Sequence, residues 1–278
     1  MKLIQSRENP FFKELVKLAD SSRHRNLARQ TLLDGVHLLT AFLDSGRLPQ
    51  HILLNLAALQ DEEIAALLKR VGDIPITQLG DKLFSELSEL KSPSGILALI
   101  ALPVQDAPHT DSRFALMLEE IQDPGNLGSM LRSAAAAGCD SVFMSYGCAD
   151  AWSPKVLRAA MGGHFVLRIY EQQNLQALAK VFPGTLLAAS LRARSSLYDC
   201  DLRGNVAFLI GNEGAGLSGD LLNLAKHVIS IPMPGKAESL NAAAAAAICL
   251  FEAVRQRITS IPRLAIGAEQ QPDELADP

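Results

Sequence analysis

The chain has 278 residues, 48% of them hydrophobic and 20% charged, a composition typical of a folded protein with room for two cores and not of a disordered chain. The first residues lack the apolar segment of a signal peptide, and no run of about 18 uncharged apolar residues could cross a bilayer. Four widely spaced cysteines, without a neighbouring histidine cluster, indicate neither a disulfide framework nor a zinc site. We therefore expect a cytoplasmic protein with no membrane span and no metal site.

The net charge of −4 is unevenly distributed along the chain. Residues 1–30 carry a net charge of +4, whereas residues 264–278 hold four acids and no base. The basic start is either a solvated helix face or a region that contacts nucleic-acid phosphates, and charge alone does not decide between them. The acidic end is rich in Pro and Gln and is expected to be a loose tail.

The hydrophobic pattern divides the chain into two α/β domains. Short apolar runs alternate with helical stretches over residues 31–102, and the helical pattern of residues 1–30 precedes them. We expect an N-terminal domain over 1–102, a linker over 103–112, a second domain over 113–260 and a flexible tail over 261–278. The strands of the second domain are predicted near 114–120, 141–145, 165–170, 185–190, 206–210 and 228–232. Because these strands are almost continuously apolar, they favour a mainly parallel sheet covered on both faces.

Ligands of open parallel sheets bind beyond the carboxyl ends of the strands, so functional residues are expected in the segments that follow the strands. The first unusual one, "QDPGNLGSMLRSAAAAG", predicts a tight turn followed by a helix that Asn126 can cap. Arg132 falls on the narrow polar face of this helix with Gly128 and Ser129, where its guanidinium could reach a phosphate. The apolar stripe of the helix is predicted to be Leu127, Met130, Leu131 and Ala134.

The second unusual segment is "GNEGAGLSGD", whose glycines allow the backbone to approach a ligand closely. It is neither a phosphate-binding Walker loop nor a dinucleotide fingerprint, since the residues that define those motifs are absent. Glu213 lies between the glycines, and from this segment alone it is either a turn residue or a functional carboxylate.

The third segment, "IPMPGKAESLN", places Ser239, Leu240 and Asn241 directly before an alanine-rich helix, where Ser and Asn are good N-caps.

Together, the three segments resemble in order and spacing the three motifs of the SpoU family of RNA ribose 2'-O-methyltransferases, within the SPOUT superfamily. The resemblance covers about residues 114–257, and "SPKVLRAAMGGHF" between the first two motifs is also similar to the family. Residues 1–102 resemble, more loosely, the small substrate-binding domain of the family. Within them, residues 9–39 are more similar to ribosomal-RNA members than to the compact transfer-RNA type, so ribosomal RNA is favoured as the substrate.

The resemblance implies an α/β fold with a mainly parallel sheet and a C-terminal trefoil knot, an exception to the rule that chains avoid threading. It implies that S-adenosylmethionine is the methyl donor, that RNA is the partner and that the enzyme is a homodimer. By motif position, the donor-binding residues would be Gly211, Ile231 and Leu240. By the same correspondence, the catalytic residues would be Asn126, Arg132, Glu213, Ser239 and Asn241.

The implied reaction fits these residue types. Transfer to a ribose hydroxyl requires oxygen, methyl carbon and sulfur to lie in line, so positioning supplies much of the acceleration, and no metal is required. The family gives its motif-one arginine a role in taking the hydroxyl proton. Because an ordinary guanidinium stays protonated, orientation of phosphate and hydroxyl is the minimum role expected of Arg132. DNA lacks the 2'-hydroxyl, which explains a preference for RNA.

Two departures from the family pattern concern the pocket and the fit of RNA. Ala242 and Ala243 stand where the family often has valine and serine, and Asp34 stands where it often has glutamate before a glycine. Three other functions remain open: a transfer-RNA ribose methyltransferase, a SPOUT base methyltransferase, and a non-catalytic RNA-binding relative. The Asn/Arg and Ser-Leu-Asn signatures favour ribose over base, and the joint presence of Asn126, Arg132, Glu213 and Asn241 favours catalysis.

Overall fold

The N-terminal part of the chain forms a five-stranded sheet. The computed structural model describes residues 1–90, 92–104, 107–108 and 111–259. The strand order is β1-β4-β3-β5-β2, in which β1, β4 and β3 are parallel and β5 is antiparallel to both of its neighbours. The strands are β1 (Lys2–Ile4), β2 (Gln30–Asp34), β3 (His51–Leu54), β4 (Ile76–Leu79) and β5 (Ile96–Ala101).

Helices cover both faces of this sheet, and polar side chains cap the N-termini of several of them. Asn9 accepts hydrogen bonds from the first backbone N–H groups of α1, Ser21 does so for α2, and Asp61 for α4. These caps satisfy donors that have no partner within their own helix. The helices are α1 (Pro10–Asp20), α2 (Ser22–Ala28), α3 (Val36–Asp44), α4 (Glu62–Val71) and α5 (Asp81–Leu87).

The basic start belongs to this domain and is not a free arm. Its first strand pairs with β4, and α1 buries Phe12 and Leu15 completely. Arg25 contradicts the expectation of a solvated or phosphate-facing charge, because only 5% of its side chain is exposed. Its guanidinium donates to Asp150 in the C-terminal part of the chain at 2.6 and 2.8 Å. This charge therefore joins the two halves of the protein.

The C-terminal part forms the predicted parallel sheet, with seven strands in the order β10-β12-β9-β11-β6-β7-β8. All neighbouring strands are parallel. The strands are β6 (Phe114–Leu118), β7 (Ser141–Met144), β8 (Arg168–Tyr170), β9 (Thr185–Ala189), β10 (Ser195–Ser196), β11 (Val206–Ile210) and β12 (His227–Ser230). The helices are α6 (Pro124–Ala136), α7 (Pro154–Ala160), α8 (Leu175–Val181), α9 (Gly219–Leu224) and α10 (Ala242–Thr259).

The strand predictions are confirmed with small shifts at the ends. The largest shift is at β8, which begins at Arg168 and not at 165, because Gly163–Phe165 form a 3₁₀ turn after Gly162 (φ 89°). The short strands β1 and β10 were not predicted. Part of the predicted linker and the whole predicted tail over 261–278 lie outside the described residues.

One apolar core runs through both halves of the protein. The cluster that contains Leu33 and Phe42 of the N-terminal part continues into Leu131 and Phe165 of the C-terminal part. The rings of Phe42 and Phe165 pack edge to face with their centroids 5.2 Å apart. The outer faces of the two sheets have separate, smaller clusters. The two sheets are therefore packed together through a shared apolar layer.

The packing of α6 on α7 corrects the prediction that Gly128 lies on a polar helix face. Gly128 is buried, and a Cβ atom there would overlap Ala159 and lie 2.8 Å from the carbonyl oxygen of Val156. Glycine thus allows the backbones of the two helices to approach closely. The predicted apolar stripe of α6 is confirmed, since all four of its residues are buried.

We predict that Gly128→Ala lowers the free energy of unfolding by about 1 to 3 kcal/mol, because overpacking forces the backbones of α6 and α7 apart. Urea unfolding followed by circular dichroism measures the change. Ser129→Ala is the matched control, because Ser129 is exposed on the same helix and its truncation should leave the stability nearly unchanged. Equal stability of the Gly128→Ala variant and the wild type would mean that α6 and α7 accommodate the added methyl group without strain.

Candidate active site

Three loops meet at the carboxyl edge of the seven-stranded sheet. They follow β6, β11 and β12 and comprise residues 119–123, 211–218 and 231–241. Because all the strands are parallel, their carboxyl ends lie at one edge, and β6 and β11 are direct neighbours there. This topology places residues from three distant parts of the sequence in one site.

Glu213 joins the loop after β11 to the loop after β6. Its carboxylate accepts hydrogen bonds from the backbone N–H groups of Gln122 and Asp123 at 3.4 and 3.3 Å. It also accepts one from Asn126 Nδ2 at 3.0 Å. Asn126 Oδ1 in turn accepts a hydrogen bond from Asn241 Nδ2 at 2.8 Å. The side chains of Glu213, Asn126 and Asn241 therefore form a continuous hydrogen-bonded chain, which we call the amide relay.

The amide relay has a fixed direction. Burial raises the pKa of Glu213, but the hydrogen bonds from Asn126 and from three backbone N–H groups outweigh it and hold this pKa below its ordinary value. The ionised carboxylate can only accept, which orients the NH₂ group of Asn126 towards it. At the other end, Asn241 Oδ1 accepts from the first N–H groups of α10, those of Ala243 and Ala244, at 2.9 and 3.2 Å.

The loop after β11 is folded tightly on itself. Asn212 Oδ1 accepts hydrogen bonds from the backbone N–H groups of Gly214 and Ala215, both at 2.9 Å. Asn212 Nδ2 donates to the carbonyl oxygen of Glu120 at 2.8 Å. A Cβ atom on Gly211 would overlap the backbone of Gly216 and Leu217, so this position requires glycine.

A cavity of about 500 Å³ opens beside this loop. Five of the candidate residues line it: Gly211, Glu213, Ile231, Ser239 and Leu240. Its volume lies within the usual range for small-molecule sites, and its walls combine aliphatic side chains with a few polar groups. The residues present therefore fit a ligand of the size of the methyl donor, and Glu213 belongs both to this cavity and to the amide relay.

Two candidate residues behave differently from the sequence expectation. Asn126 does not cap α6, because Asp123 Oδ1 accepts the hydrogen bond from the Asn126 backbone N–H group at 2.7 Å and takes that role. The side chain of Asn126 is thereby available to the relay. Arg132 is exposed on α6 and belongs neither to the relay nor to the cavity. No described residue forms a hydrogen bond or ion pair with its guanidinium.

Sequence reasoning missed several residues of the site. Leu191 and Arg192 follow β9 and line the cavity, as does Met233 in the loop after β12. The signal that could have identified Leu191 and Arg192 is their position after a buried parallel strand, the same feature that singled out the other loops. Asn212 was also missed, although asparagine in a glycine-rich turn commonly bonds the backbone two residues ahead.

Metal-binding clusters and membrane-spanning helices are both absent from the described part of the chain. Within it, no group of three or more His, Cys, Asp or Glu side chains could hold a metal ion. None of its helices is both long and apolar enough to span a membrane.

Comparison with protein families matches residues 113–251 to the SpoU rRNA methylase family and residues 9–98 to an MRM3-like substrate-binding domain. Among curated relatives, the chain is 32% identical to 23S rRNA (guanosine(2553)-2'-O)-methyltransferase RlmP of Bacillus subtilis. That similarity covers 90% of this chain and 98% of RlmP.

Solved structures agree with this assignment. An RNA 2'-O ribose methyltransferase superimposes with a TM-score of 0.79 and 31% identity, covering 92% of this chain and 99% of the other. The SpoU methyltransferase AviRb of Streptomyces viridochromogenes, in complex with AdoMet, superimposes with a TM-score of 0.80 and 28% identity. The match covers 90% of this chain and 100% of AviRb. The motifs, the fold and the relatives lead to one conclusion: the chain belongs to the SpoU rRNA methylase family.

Proposed function

We propose that this protein transfers a methyl group from S-adenosylmethionine to the 2'-hydroxyl of a nucleotide in ribosomal RNA. The observation that carries the proposal is the position of Glu213, which lines the donor-sized cavity and anchors the amide relay. A single side chain thus connects a site for a small ligand with a group of hydrogen-bond donors beside it. This arrangement suits a reaction between a bound donor and a second, larger substrate.

The cavity would hold S-adenosylmethionine, whose sulfonium supplies an activated methyl group. Gly211 brings the backbone of the 211–217 loop close to the ligand, while Ile231 and Leu240 provide apolar walls. Leu240 is 37% exposed, so it is available for contact with the donor.

The acceptor ribose would be positioned by donor groups. Asn126 donates one N–H of its NH₂ group to Glu213, and Asn241 donates one to Asn126. Each NH₂ group therefore has a second N–H that can donate to a ribose or phosphate oxygen. Ser239 adds a hydroxyl next to Asn241, and Arg132 adds a guanidinium, which binds phosphate with charge-assisted hydrogen bonds. We assign these four side chains, with Glu213, to orientation of the ribose hydroxyl for in-line attack.

Ribosomal RNA is the favoured substrate because the match covers 98% of RlmP, whose name specifies methylation of 23S rRNA. We propose that residues 1–102 bind RNA, with 103–112 as the linker and 113–260 as the methyltransferase domain. The match of residues 9–98 to an MRM3-like substrate-binding domain supports this division. RlmP is named for ribose methylation of ribosomal RNA, which disfavours a transfer-RNA or base methyltransferase, and the intact relay argues against a non-catalytic relative.

Nucleoside mass spectrometry tests the function. Ribosomal RNA from cells that lack the gene, and bulk transfer RNA in parallel, are incubated with the purified protein and S-adenosylmethionine, then digested. The proposal requires 2'-O-methylribose in ribosomal RNA alone. A methylated base would indicate a base methyltransferase, methylation of transfer RNA alone would change the substrate class, and no product would favour a binding protein. Mapping the new methyl group then identifies the nucleotide.

We also propose that the protein is a cytoplasmic homodimer with a C-terminal trefoil knot. Phe251 and Ile258 on α10 are 46% and 50% exposed, which provides apolar surface for a second copy. All four cysteines are free, in keeping with a reducing compartment. A crystal structure that traces residues 206–242 tests the knot. If no later segment of the chain passes through the 211–217 loop, the knot is absent.

For the assembly, we predict that sedimentation velocity at micromolar concentration gives the mass of a dimer, twice the 29.9 kDa of the chain. Phe251→Asp should shift the distribution towards the monomer, because a buried charge without a partner opposes association. Tyr198→Ala, at another exposed aromatic position, is the control and should remain dimeric. A wild-type protein that sediments at the mass of one chain would contradict the proposal.

For the donor site, we predict that Gly211→Ala raises the Kd for S-adenosylmethionine at least about 10-fold, since one added methyl group displaces the loop that forms the cavity. Isothermal titration calorimetry measures the Kd. Gly219→Ala is the matched control, because a Cβ atom there meets no described atom within 4 Å and Gly219 does not line the cavity. Unchanged affinity in a folded Gly211→Ala protein would place the donor elsewhere.

For the acceptor site, we predict that Arg132→Ala keeps the fold and the donor affinity but slows single-turnover methylation about 30- to 1,000-fold. This range corresponds to about 2 to 4 kcal/mol of transition-state stabilisation, typical of one electrostatic group. Arg132→Lys should recover little, because a point charge does not reproduce the planar fork of a guanidinium.

Arg203→Ala serves as the control for Arg132, since Arg203 is exposed and pairs only with the exposed Asp201 in the described structure. Saturating donor and thermal melting of each variant separate chemistry from folding. Near-normal turnover by a folded Arg132→Ala protein would remove Arg132 from the mechanism. A collapsed melting curve would instead assign it a structural role.

A further inference from the structure

Tyr146 is an exposed aromatic side chain beside the catalytic loops. Its side chain is 75% exposed, whereas Tyr170, one of the two other tyrosines of the chain, is buried and stacks on Phe143. Tyr146 lies two residues after the end of β7, in the segment of residues 145–149. Exposure of a large aromatic ring at the ligand-binding edge of a parallel sheet indicates a contact with a ligand or partner.

The loop of Tyr146 is held rigidly against the end of β6. The backbone N–H of Ser145 donates to the carbonyl oxygen of Leu118 at 2.9 Å, and that of Ala149 donates to the carbonyl oxygen of Ile121 at 2.8 Å. The hydroxyl of Ser145 accepts from the backbone N–H of Glu120 at 2.9 Å. Because the backbone on both sides of Tyr146 is fixed, its ring is presented to solvent at a low entropic cost of ordering.

Glu120 connects this loop to the catalytic centre. Its backbone N–H binds Ser145, and its carbonyl oxygen accepts the hydrogen bond from Asn212 at 2.8 Å. Glu120 has a left-handed backbone conformation (φ 53°), which turns its two polar backbone groups towards different loops. Further along the same connection, the backbone N–H groups of Gln122 and Asp123 donate to the carboxylate of Glu213. Tyr146 and Glu213 are thus on loops that flank the same short connection between β6 and α6.

The two loops lie on opposite sides of that connection. In the sheet, β11 neighbours β6 on one side and β7 neighbours it on the other, and the donor cavity lies on the β11 side. In-line transfer needs the acceptor on the side of the methyl group away from sulfur. Beyond Tyr146, the chain reaches the N-terminal domain, where Asp150 binds Arg25 and the carbonyl oxygen of Trp152 accepts from Thr31 at 2.7 Å.

We propose that Tyr146 is a stacking platform for a nucleobase of the RNA substrate, next to the ribose that is methylated. The inference rests on the proposed function and extends it to a residue outside the three motifs. The loop of Tyr146 is hydrogen-bonded to the connection after β6 and leads to Asp150, which binds Arg25. An RNA that contacts both the relay and the N-terminal domain would therefore meet the ring, and single-stranded bases bind proteins by stacking on such rings. Stacking would hold the target nucleotide while the relay orients its hydroxyl.

Steady-state methylation of ribosomal RNA from cells that lack the gene tests the proposal on the full-length protein. Tyr146→Ala should raise the KM for RNA about 5- to 150-fold, the range expected for loss of one stacked base. The Kd for S-adenosylmethionine and the melting temperature should not change. Tyr146→Phe should restore the wild-type KM because it keeps the ring, whereas Tyr146→Leu should not.

Tyr198→Ala is the matched control, because Tyr198 is 53% exposed but follows β10 at the opposite end of the sheet. An unchanged KM for RNA in Tyr146→Ala would overturn the stacking proposal, as would full activity of Tyr146→Leu. A change of sedimentation without a change of KM would assign Tyr146 to a protein contact and also overturn it. Absence of methylation by the wild type would instead refute the proposed function, so the two failures are distinguishable.

Discussion

The negative charge of Glu213 is the constraint on which the geometry of the site depends. A carboxylate accepts hydrogen bonds and donates none, so it dictates how Asn126 is oriented, and Asn126 dictates the orientation of Asn241. At the other end of the relay, Asn241 Oδ1 accepts hydrogen bonds from the backbone N–H groups of Ala243 and Ala244 in the first turn of α10, and such groups can only donate. Both ends therefore impose the same direction. The site is preorganised, since the amides need not reorient when substrate arrives.

In the arrangement proposed above, the parallel sheet separates the two substrates around the amide relay. Loops after β9, β11 and β12 line the proposed donor cavity, whereas the loop after β7 leads to Asp150, which binds Arg25 of the N-terminal half. The strand order makes this separation unavoidable, because β6 lies between β11 and β7. A methyl donor and a large RNA can then approach the same point from different sides without competing for surface.

The elements and motif loops of the catalytic domain were predictable because buried parallel strands are continuous apolar runs and their ends carry unusual polar residues. Hydrogen bonds between side chains distant in sequence were not predictable. Sequence alone suggested Asn126 as the cap of α6, whereas Asp123 takes that role, and only the position of Glu213 explains why Asn126 is used elsewhere. Arg25 looked like a surface charge, since its partner Asp150 is distant in sequence. Strands of two or three residues, such as β10, are too short to show a period.

The apolar layer shared by the two sheets bears on how such an enzyme could acquire a new target. Leu33 and Phe42 pack in the same cluster as Leu131 and Phe165, and the buried Arg25–Asp150 pair crosses the same boundary. An RNA-recognition domain grafted from a relative would have to bring a matching surface, or leave a cavity and an unpaired charge behind. Evolution of specificity is therefore easier by substitution at exposed positions than by exchange of whole domains.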